Sequence, residues 1–162
     1  MRPGRRRDDA VLAHLDATAW SAESGFPSVI SRVADAGGAF FTADNPPDAF
    51  LVAELAGKVV GYIRLKPPTP LPENAHVLQV QGLAVHPDAR RRGIAGMLLA
   101  AAERRSRERG KRKLSLRVLS TNTAAIALYE RLGFAREGVL RDEFIINGSY
   151  VDDIVMAKAL QP

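Results

Sequence analysis

The chain has 162 residues, of which 46% are hydrophobic and 25% charged, a length and composition typical of one globular domain, which we place at residues 1–162. It contains no cysteine, so disulfides, cysteine-ligated zinc and a cysteine nucleophile are excluded, and we expect a cytoplasmic location. No apolar run approaches the roughly 20 residues of a membrane span, and no apolar segment typical of a signal peptide follows the basic N-terminus, so we expect no membrane partner.

The net charge of +5 raises the question of a nucleic-acid partner. Much of the positive charge lies between Arg90 and Lys113. No aromatic residues are interleaved with it, although a platform for single-stranded nucleic acid requires them. We therefore predict a basic pocket for a phosphorylated cofactor and no nucleic acid as the main partner.

Two helices are predicted in the first quarter of the chain. Asp8 or Asp9 can cap the first of them. Its apolar residues are Val11, Leu12, Leu15 and Trp20. The second is predicted from Phe26 to Ala36, ending at Gly37-Gly38.

Three strands are predicted next. The short apolar runs Phe50 to Leu55 and Val59 to Leu65 flank Gly57-Lys58 and predict a hairpin. Four prolines between positions 67 and 72 predict a stiff loop at an edge or beside a cleft. The apolar run Val77 to Val85 predicts the third strand.

A helix, a strand and a second helix are predicted after that. The first helix spans Ile94 to Arg109 and ends at Gly110. Its apolar residues are Ile94, Met97, Leu98 and Ala101. The strand runs from Leu114 to Leu119. Asn122 or Thr123 then caps a helix that carries Ile126, Tyr129 and Leu132 and ends at Gly133.

The last predicted elements are two long strands, Phe134 to Ile146 and Tyr150 to Leu160. They are joined by Asn147-Gly148, a strong hairpin signal between apolar runs. The complete order is αα, ββ, βα, βα, ββ. It predicts an α/β (α+β) fold with one mixed sheet and helices on both faces.

The segment from Arg90 to Gly96 predicts an anion site. It lies between a strand and a helix start, where the first backbone N–H groups have no partner inside the helix and the helix dipole favours an anion. Gly93, Ala95 and Gly96 keep the side chains small, so that a phosphate can approach the backbone. Taken alone, an arginine-rich helix start is also typical of a solvated surface.

Two motifs resemble the GNAT N-acetyltransferase superfamily. The family's cofactor motif is matched by Arg90, Gly93 and Ala95, with Val85 and Pro87 before it. The segment from Asn122 to Phe134 resembles the family's Asn, Ala-Ile, Leu-Tyr and Leu-Gly-Phe pattern. The core resemblance covers about Val77 to Phe134. Both motifs stand at the family's spacing, whereas a dinucleotide site would need a ribose-binding acid that is absent at the corresponding place.

The resemblance implies a largely antiparallel sheet whose parallel strands splay apart to hold acetyl-CoA. No metal is implied. The backbone of Leu83 and Val85 would pair with the pantetheine arm, and the amides from Arg91 to Gly96 would hold the pyrophosphate, with the arginine side chains steering. The residues implied in cofactor binding are Leu83, Ala84, Val85, Arg90, Arg91, Arg92, Gly93, Ile94, Ala95, Gly96, Asn122 and Tyr129.

Tyr129 is implied as the catalytic general acid, which protonates the CoA thiolate when an amine attacks the thioester. A neutral phenol with a pKa of about 10 can donate to that sulfur, and a backbone N–H near Val85 can stabilise the oxyanion. At helical spacing with Ile126 and Leu132, Tyr129 would alternatively be a packing residue. Asn122 would likewise be a helix cap whatever else it does.

The general base is left open. Gln79 and Gln81 on the central strand cannot accept a proton but can orient a water molecule that does. Candidate bases elsewhere are Glu54, Glu73, His76 and Asp142. Weak base chemistry favours an α-amine, with a pKa near 8, over a lysine-type amine near 10.4.

The C-terminal segment resembles GNAT branches that acetylate amino acids, polyamines or protein N-termini, and its Tyr150 and Asp152 are shared by many branches. The acids Asp142, Glu143, Asp152 and Asp153 either attract a cationic amine or lie on the exposed face of a hairpin. The family's first strand is short or missing here. We expect the substrate side of the sheet to be either altered by that loss or completed by a partner chain, and the second alternative predicts a homodimer.

The sequence thus predicts an acetyl-CoA-dependent N-acetyltransferase acting on a small-molecule, amino-acid or peptide amine. The alternative from another class is a non-catalytic acyl-CoA-binding or regulatory domain on the same fold. Tyr129 argues against it, because a sensor needs no acid beside the sulfur.

Overall fold

A computed structural model describes residues 1–20, 26 and 39–160. Among them are three α-helices: α1 (Asp9–Ala19), α2 (Ile94–Glu108) and α3 (Thr123–Arg131). The strands are β1 (Arg2–Pro3), β2 (Phe50–Leu55), β3 (Lys58–Lys66), β4 (Val77–Val85), β5 (Lys113–Leu119), β6 (Ala135–Ile146) and β7 (Ser149–Ala159). The predicted helix from Phe26 to Ala36 lies outside the described residues, apart from Phe26.

The described strands form one sheet in the order β1-β2-β3-β4-β5-β7-β6. β4 and β5 are parallel, and every other neighbouring pair is antiparallel. The parallel pair is connected through α2, since parallel neighbours need a crossover. The predicted largely antiparallel mixed sheet is confirmed.

Helices cover both faces of the sheet. On one face, α2 and α3 bury a large apolar cluster that includes Leu98, Leu99, Leu114 and Met156. On the other face, α1 packs a smaller cluster rich in aromatic rings against β2, β3 and β4. The alternation of side chains along β2 supplies both clusters, because Leu51 and Ala53 point to one and Phe50 and Val52 to the other.

Several predicted details are wrong. The side chain of Asp8 makes no hydrogen bond to α1. It accepts instead from the backbone N–H of Arg5 (2.8 Å) and from the guanidinium of Arg2 (2.7 Å). Val11 and Met97, placed on apolar helix faces by their spacing, are 40% and 50% exposed.

The first strand is short but present. Arg2 and Pro3 pair antiparallel with Val52 and Leu51 of β2. The ion pair between Arg2 and Asp8 ties this strand to the start of α1. This two-residue strand is one edge of the sheet.

Candidate active site

A splay between β4 and β5 opens the middle of the sheet. The two strands are paired from Val77 and Lys113 to Val80 and Leu116, after which β4 continues beside β3 and β5 beside β7. The separation starts at a register shift in β4, where Gln81 is the extra residue opposite Arg64 and Leu65. Such a bulge bends its strand, and it is held here by Arg64, whose Nη2 donates to the Gln81 carbonyl at 2.9 Å.

The backbone groups of β4 beyond the bulge alternate between β3 and the gap. The N–H of His86 donates to the carbonyl of Val60 at 2.8 Å, and Ala84 lies opposite Tyr62. The alternation of antiparallel bonding then directs the backbone groups of Ala84 toward β3 and those of Leu83 and Val85 toward the gap. This orientation agrees with the implied pairing of Leu83 and Val85 with the pantetheine arm.

The gap is the floor of a cleft with a volume of about 690 Å³. Predicted site residues brought together in its wall are Leu83, Ala84, Val85, Arg90, Ala95, Asn122 and Tyr129. Other predicted residues lie beyond the wall. The side chain of Ile94 is buried in the larger core, and Arg92 lines a second cavity on the outer side of the turn.

The turn before α2 presents its backbone to open space. Gly93 is the residue before the helix, with φ of +75°, and no side chain caps this helix start. Arg91 is also in the left-handed region, with φ of +58°. A Cβ built on Gly93 or Gly96 would meet no heavy atom of the described residues within 4 Å, so these residues leave space beside the amides for a ligand.

The side chain of Arg90 is directed away from this turn. Its Nη2 donates to the carbonyl of Ala19 (2.6 Å), at the end of α1, and its Nε donates to the carbonyl of Val85 (3.3 Å). A cation at a helix C-terminus is favourable, because it satisfies a free carbonyl and complements the dipole. Any contact of Arg90 with a pyrophosphate would therefore involve its backbone.

Tyr129 and Asn122 lie on the α3 side of the cleft. Asn122 is the helix cap, since its Oδ1 accepts from the N–H of Ala125 at 3.2 Å. Tyr129 is 7% exposed and packs against Phe134, with 5.8 Å between ring centroids. Burial raises the pKa of Tyr129 to about 12. The phenol is therefore protonated at neutral pH and available as a donor, while it also contributes to the core.

None of the four candidate bases is among the described residues that line the cleft. Glu54 accepts a hydrogen bond from Arg2 at 2.9 Å, which lowers the pKa of that carboxyl, and it borders the second cavity. The backbone N–H of Asp142 donates to Asp152 (2.9 Å) on the exposed part of the hairpin. The spacing of these acids in the sequence gave no indication of where the sheet register would place them.

Residues that were not predicted as site residues also line the cleft. Asp153 is 3% exposed and accepts from Nε of Arg117, whose Nη2 donates to Glu143 at 3.0 Å. The aromatic residues Trp20, Phe26 and Phe144 also lie in the wall. The sequence predicted Asp153 as one of four acids that could attract an amine, and Trp20 as an apolar residue of the first helix. The register of the C-terminal hairpin was the signal that could have singled out Asp153.

Trp20 is fixed by hydrogen bonding on the α1 side. Its indole N–H donates to Asp16 Oδ1 at 2.7 Å, and the hydroxyl of Tyr62 donates to the same oxygen. Burial and the charge of Asp16 raise the pKa of Tyr62 well above its usual value, so this hydroxyl remains a donor. Trp20 is thus fixed in the cleft wall by Asp16 of α1, which Tyr62 of β3 also contacts.

The described part of the chain shows neither a metal site nor a membrane-spanning helix. Residues 1–20, 26 and 39–160 contain no group of three or more histidine or acidic side chains arranged to hold a metal ion. No helix within these residues has both the length and the apolar character needed to cross a bilayer.

The sequence profile of the Acetyltransferase (GNAT) family matches residues 14–134. The chain belongs to this family. The match includes β4, the turn before α2, and α3 with Tyr129, which contribute residues to the wall of the cleft. The predicted family membership is confirmed.

Individual relatives agree with this assignment. Over 91 residues the chain is 41% identical to an acetyltransferase of Sodalis glossinidius, an alignment that covers 56% of this chain and 60% of that protein. The ribosomal-protein-alanine N-acetyltransferase of Brucella melitensis has a similar structure, with 27% identity, a TM-score of 0.74 and 98% of each chain covered.

A further neighbour was solved with acetyl-CoA. The yncA protein of Salmonella typhimurium has a TM-score of 0.75 and 19% identity, with 99% of this chain and 93% of that chain covered. At this identity the likeness shows the shared fold. This chain thus combines a cleft between splayed strands with membership of the acetyltransferase family and with a fold that holds acetyl-CoA in that neighbour.

Proposed function

We propose that the chain is an acetyl-CoA-dependent N-acetyltransferase that transfers the acetyl group directly to a primary amine. The observation that carries the proposal is the position of Tyr129. It lies in the wall of the cleft that is also lined by Ala95, from the first turn of α2, and by Asp153. The whole of residues 1–162 is proposed to form this one catalytic domain.

The described residues fit the cofactor. The open space beside Gly93 and Gly96 and the free amides of the first turn of α2 suit a pyrophosphate. The backbone groups of Leu83 and Val85, directed into the gap, suit the two amides of a pantetheine arm. Acetyl-CoA supplies the activated acetyl group when it is bound there.

The chemistry proposed for the chain's own groups is limited to proton donation and charge stabilisation. Tyr129, kept protonated by burial, donates its hydroxyl proton to the departing sulfur. A backbone N–H of the splayed part of β4, near Val85, stabilises the oxyanion that forms on the carbonyl. The tight packing of Tyr129 on Phe134 limits the positions that the phenol can adopt.

The direct test combines binding and turnover. Calorimetry is expected to show binding of acetyl-CoA, and release of free CoA thiol is expected when the protein and acetyl-CoA are mixed with a panel of primary amines. Binding without thiol release from any amine would contradict the proposal and favour a non-catalytic acyl-CoA-binding domain. Binding of DNA in place of acetyl-CoA would contradict both.

The finer expectations belong to the same proposal. The acceptor is a small-molecule or peptide amine, and the location is cytoplasmic. Homodimer formation is a prediction that light scattering at micromolar concentration tests, and a monomer there would contradict it.

A further inference from the structure

From the acceptor side of the cleft we infer that the acceptor is a cationic primary amine with an apolar, preferably aromatic, body and no carboxylate beside the amino group. Its ammonium is bound by Asp153. This inference rests on the proposed function, because it describes the acceptor of the same reaction.

The first support is the charge at the base of the cleft. Asp153 is on β7, where it pairs with Leu119 at the open end of the splay, and its side chain is 5% exposed. Arg117 contacts both Asp153 and Glu143, so one cation faces two anions and the group carries net negative charge. Since Asp153 is buried and Glu143 is 38% exposed, water and salt screen the charge of Asp153 less.

The second support is the absence of a cation that is free to receive an acceptor carboxylate. Among the described residues that line the cleft, the cations are Arg90 and Arg117. Arg90 is bound to the carbonyls of Ala19 and Val85, and Arg117 is bound to two carboxylates. An amino acid would therefore place its own carboxylate beside Asp153 without a compensating charge, which costs free energy.

The third support is the aromatic wall next to Asp153. Phe26 and Phe144 are in edge-to-face contact with 4.7 Å between ring centroids, and Trp20 is held by Asp16 in the same cleft. Aromatic faces attract a cation within about 6 Å, and their apolar area suits the body of an amine. A cleft lined by both a buried carboxylate and aromatic rings is thus complementary to an amine that is charged at one end and apolar at the other.

The bound ammonium gives one proton to Asp153, and the neutral nitrogen then forms a bond to the acetyl carbonyl carbon while the carbon–sulfur bond breaks. Tyr129 protonates the sulfur and regains a proton from the new amide nitrogen through water. The products are the N-acetyl amine, the CoA thiol and one proton, which Asp153 releases to solvent.

The test compares two acceptors that differ in the carboxylate alone. At saturating acetyl-CoA, kcat/KM is expected to be at least about 10-fold higher for 2-phenylethylamine than for phenylalanine, because the buried like charge penalises the latter. A higher kcat/KM for 2-phenylethylamine than for ethylamine is expected from the aromatic body. Turnover of phenylalanine or of alanyl peptides without turnover of 2-phenylethylamine would overturn this inference and leave N-acetyl transfer intact.

A variant of Asp153 and a control variant test the role of this carboxylate. Asp153→Asn is expected to lower kcat/KM for 2-phenylethylamine by about 10²-fold, as for loss of a proton acceptor, with the Kd for acetyl-CoA unchanged. Asp152→Asn, which removes the neighbouring carboxylate of β7 that does not line the cleft, is the control and is expected to have a much smaller effect. Equal effects of the two variants would overturn the role of Asp153.

If Asp153→Asn fails to fold, the variant will also fail to bind acetyl-CoA. Phe144→Ala then provides a second test. It is expected to reduce the preference for 2-phenylethylamine over ethylamine, and an unchanged preference would overturn the aromatic part of the inference. The absence of turnover with every amine, despite binding of acetyl-CoA, would instead contradict the proposed function itself.

Discussion

At the cofactor end of the cleft the groups available to a ligand belong to the backbone, whereas at the acceptor end they belong to side chains. The turn before α2 offers amides held in place by the left-handed Gly93 and by the helix itself. The acceptor end depends on an ion pair between neighbouring strands and on rings from separate segments. A site built from backbone groups tolerates many side-chain substitutions but few changes of backbone conformation. A site built from side chains is sensitive to substitution of those side chains and less sensitive to small changes of the backbone. Substitutions can therefore test whether the two ends respond as differently as they are built.

The largest effect is expected from Gly93→Val. A β-branched residue is strained at a φ of +75°, and the helix start would have to move, which displaces the amides proposed to hold the pyrophosphate. Calorimetry is expected to show no binding of acetyl-CoA.

The matched control is Gly96→Ala, where no positive φ is required and a Cβ meets no protein atom. It is expected to fold normally and to bind more weakly than the parent only if the cofactor fills that space. Tight binding by the Gly93→Val protein would show that the backbone account of this end is wrong.

A smaller effect, confined to turnover, is expected from Tyr129→Phe. Loss of the proton donor is expected to lower kcat by about 10²-fold at saturating acetyl-CoA, with the Kd for acetyl-CoA little changed. An unchanged kcat would show that Tyr129 contributes to packing and not to proton donation.

The pH profile of the parent enzyme tests the same group. Because burial raises the pKa of Tyr129 to about 12, the phenol is expected to remain protonated across the neutral and mildly alkaline range. A fall in kcat on the alkaline side, well below that value and absent in Tyr129→Phe, would contradict this protonation state.

Arg90→Gln tests whether the two ends are coupled. Arg90 belongs to the cofactor motif, yet its side chain holds the carbonyl of Ala19, next to Trp20 in the acceptor wall. Loss of that bond, worth about 1.5 kcal/mol for a charged donor, is expected to raise the KM for the amine by roughly 10-fold and to leave the Kd for acetyl-CoA closer to the parent value. Arg92→Gln removes the same charge from an exposed position and is expected to change neither. A rise in the Kd for acetyl-CoA without a rise in the KM for the amine would show that the Arg90 side chain acts on cofactor binding.

The smallest effect is expected from Glu54→Gln. Glu54 is bound to Arg2 and borders the second cavity, so kcat/KM and its dependence on pH are expected to match those of the parent. Loss of a titration step in this variant would show that Glu54 takes part in catalysis after all.

The same contrast explains how far the sequence could be interpreted. The hairpin at Asn147-Gly148, the strand before Arg90 and the helix after Asn122 are set by local chemistry: left-handed turn residues, alternating apolar residues and a capping side chain. The cofactor end consists of such local features and was predictable. The direction of the Arg90 side chain could not be predicted, because the carbonyl that accepts its hydrogen bond belongs to Ala19, 71 residues away in sequence.

The acceptor end could be predicted only in part. Whether Asp153 or Asp152 faces the cleft depends on the register of β7 against β5 and on the irregular pairing of β6 and β7 near Leu140 and Phe144. A shift of one residue exchanges the two faces of a strand. The base candidates chosen by residue type alone therefore fell outside the cleft, and the exposed positions of Val11 and Met97 reflect the same dependence on tertiary packing.

The position of Trp20 has a practical consequence. It is the single tryptophan of the chain, and it lies in the cleft wall with its indole N–H bonded to Asp16. The tryptophan emission of the protein therefore arises from one residue beside the proposed acceptor site. Titration with an amine or with acetyl-CoA can be followed optically without a label, and Phe26 and Phe144 contribute no competing emission in that spectral range.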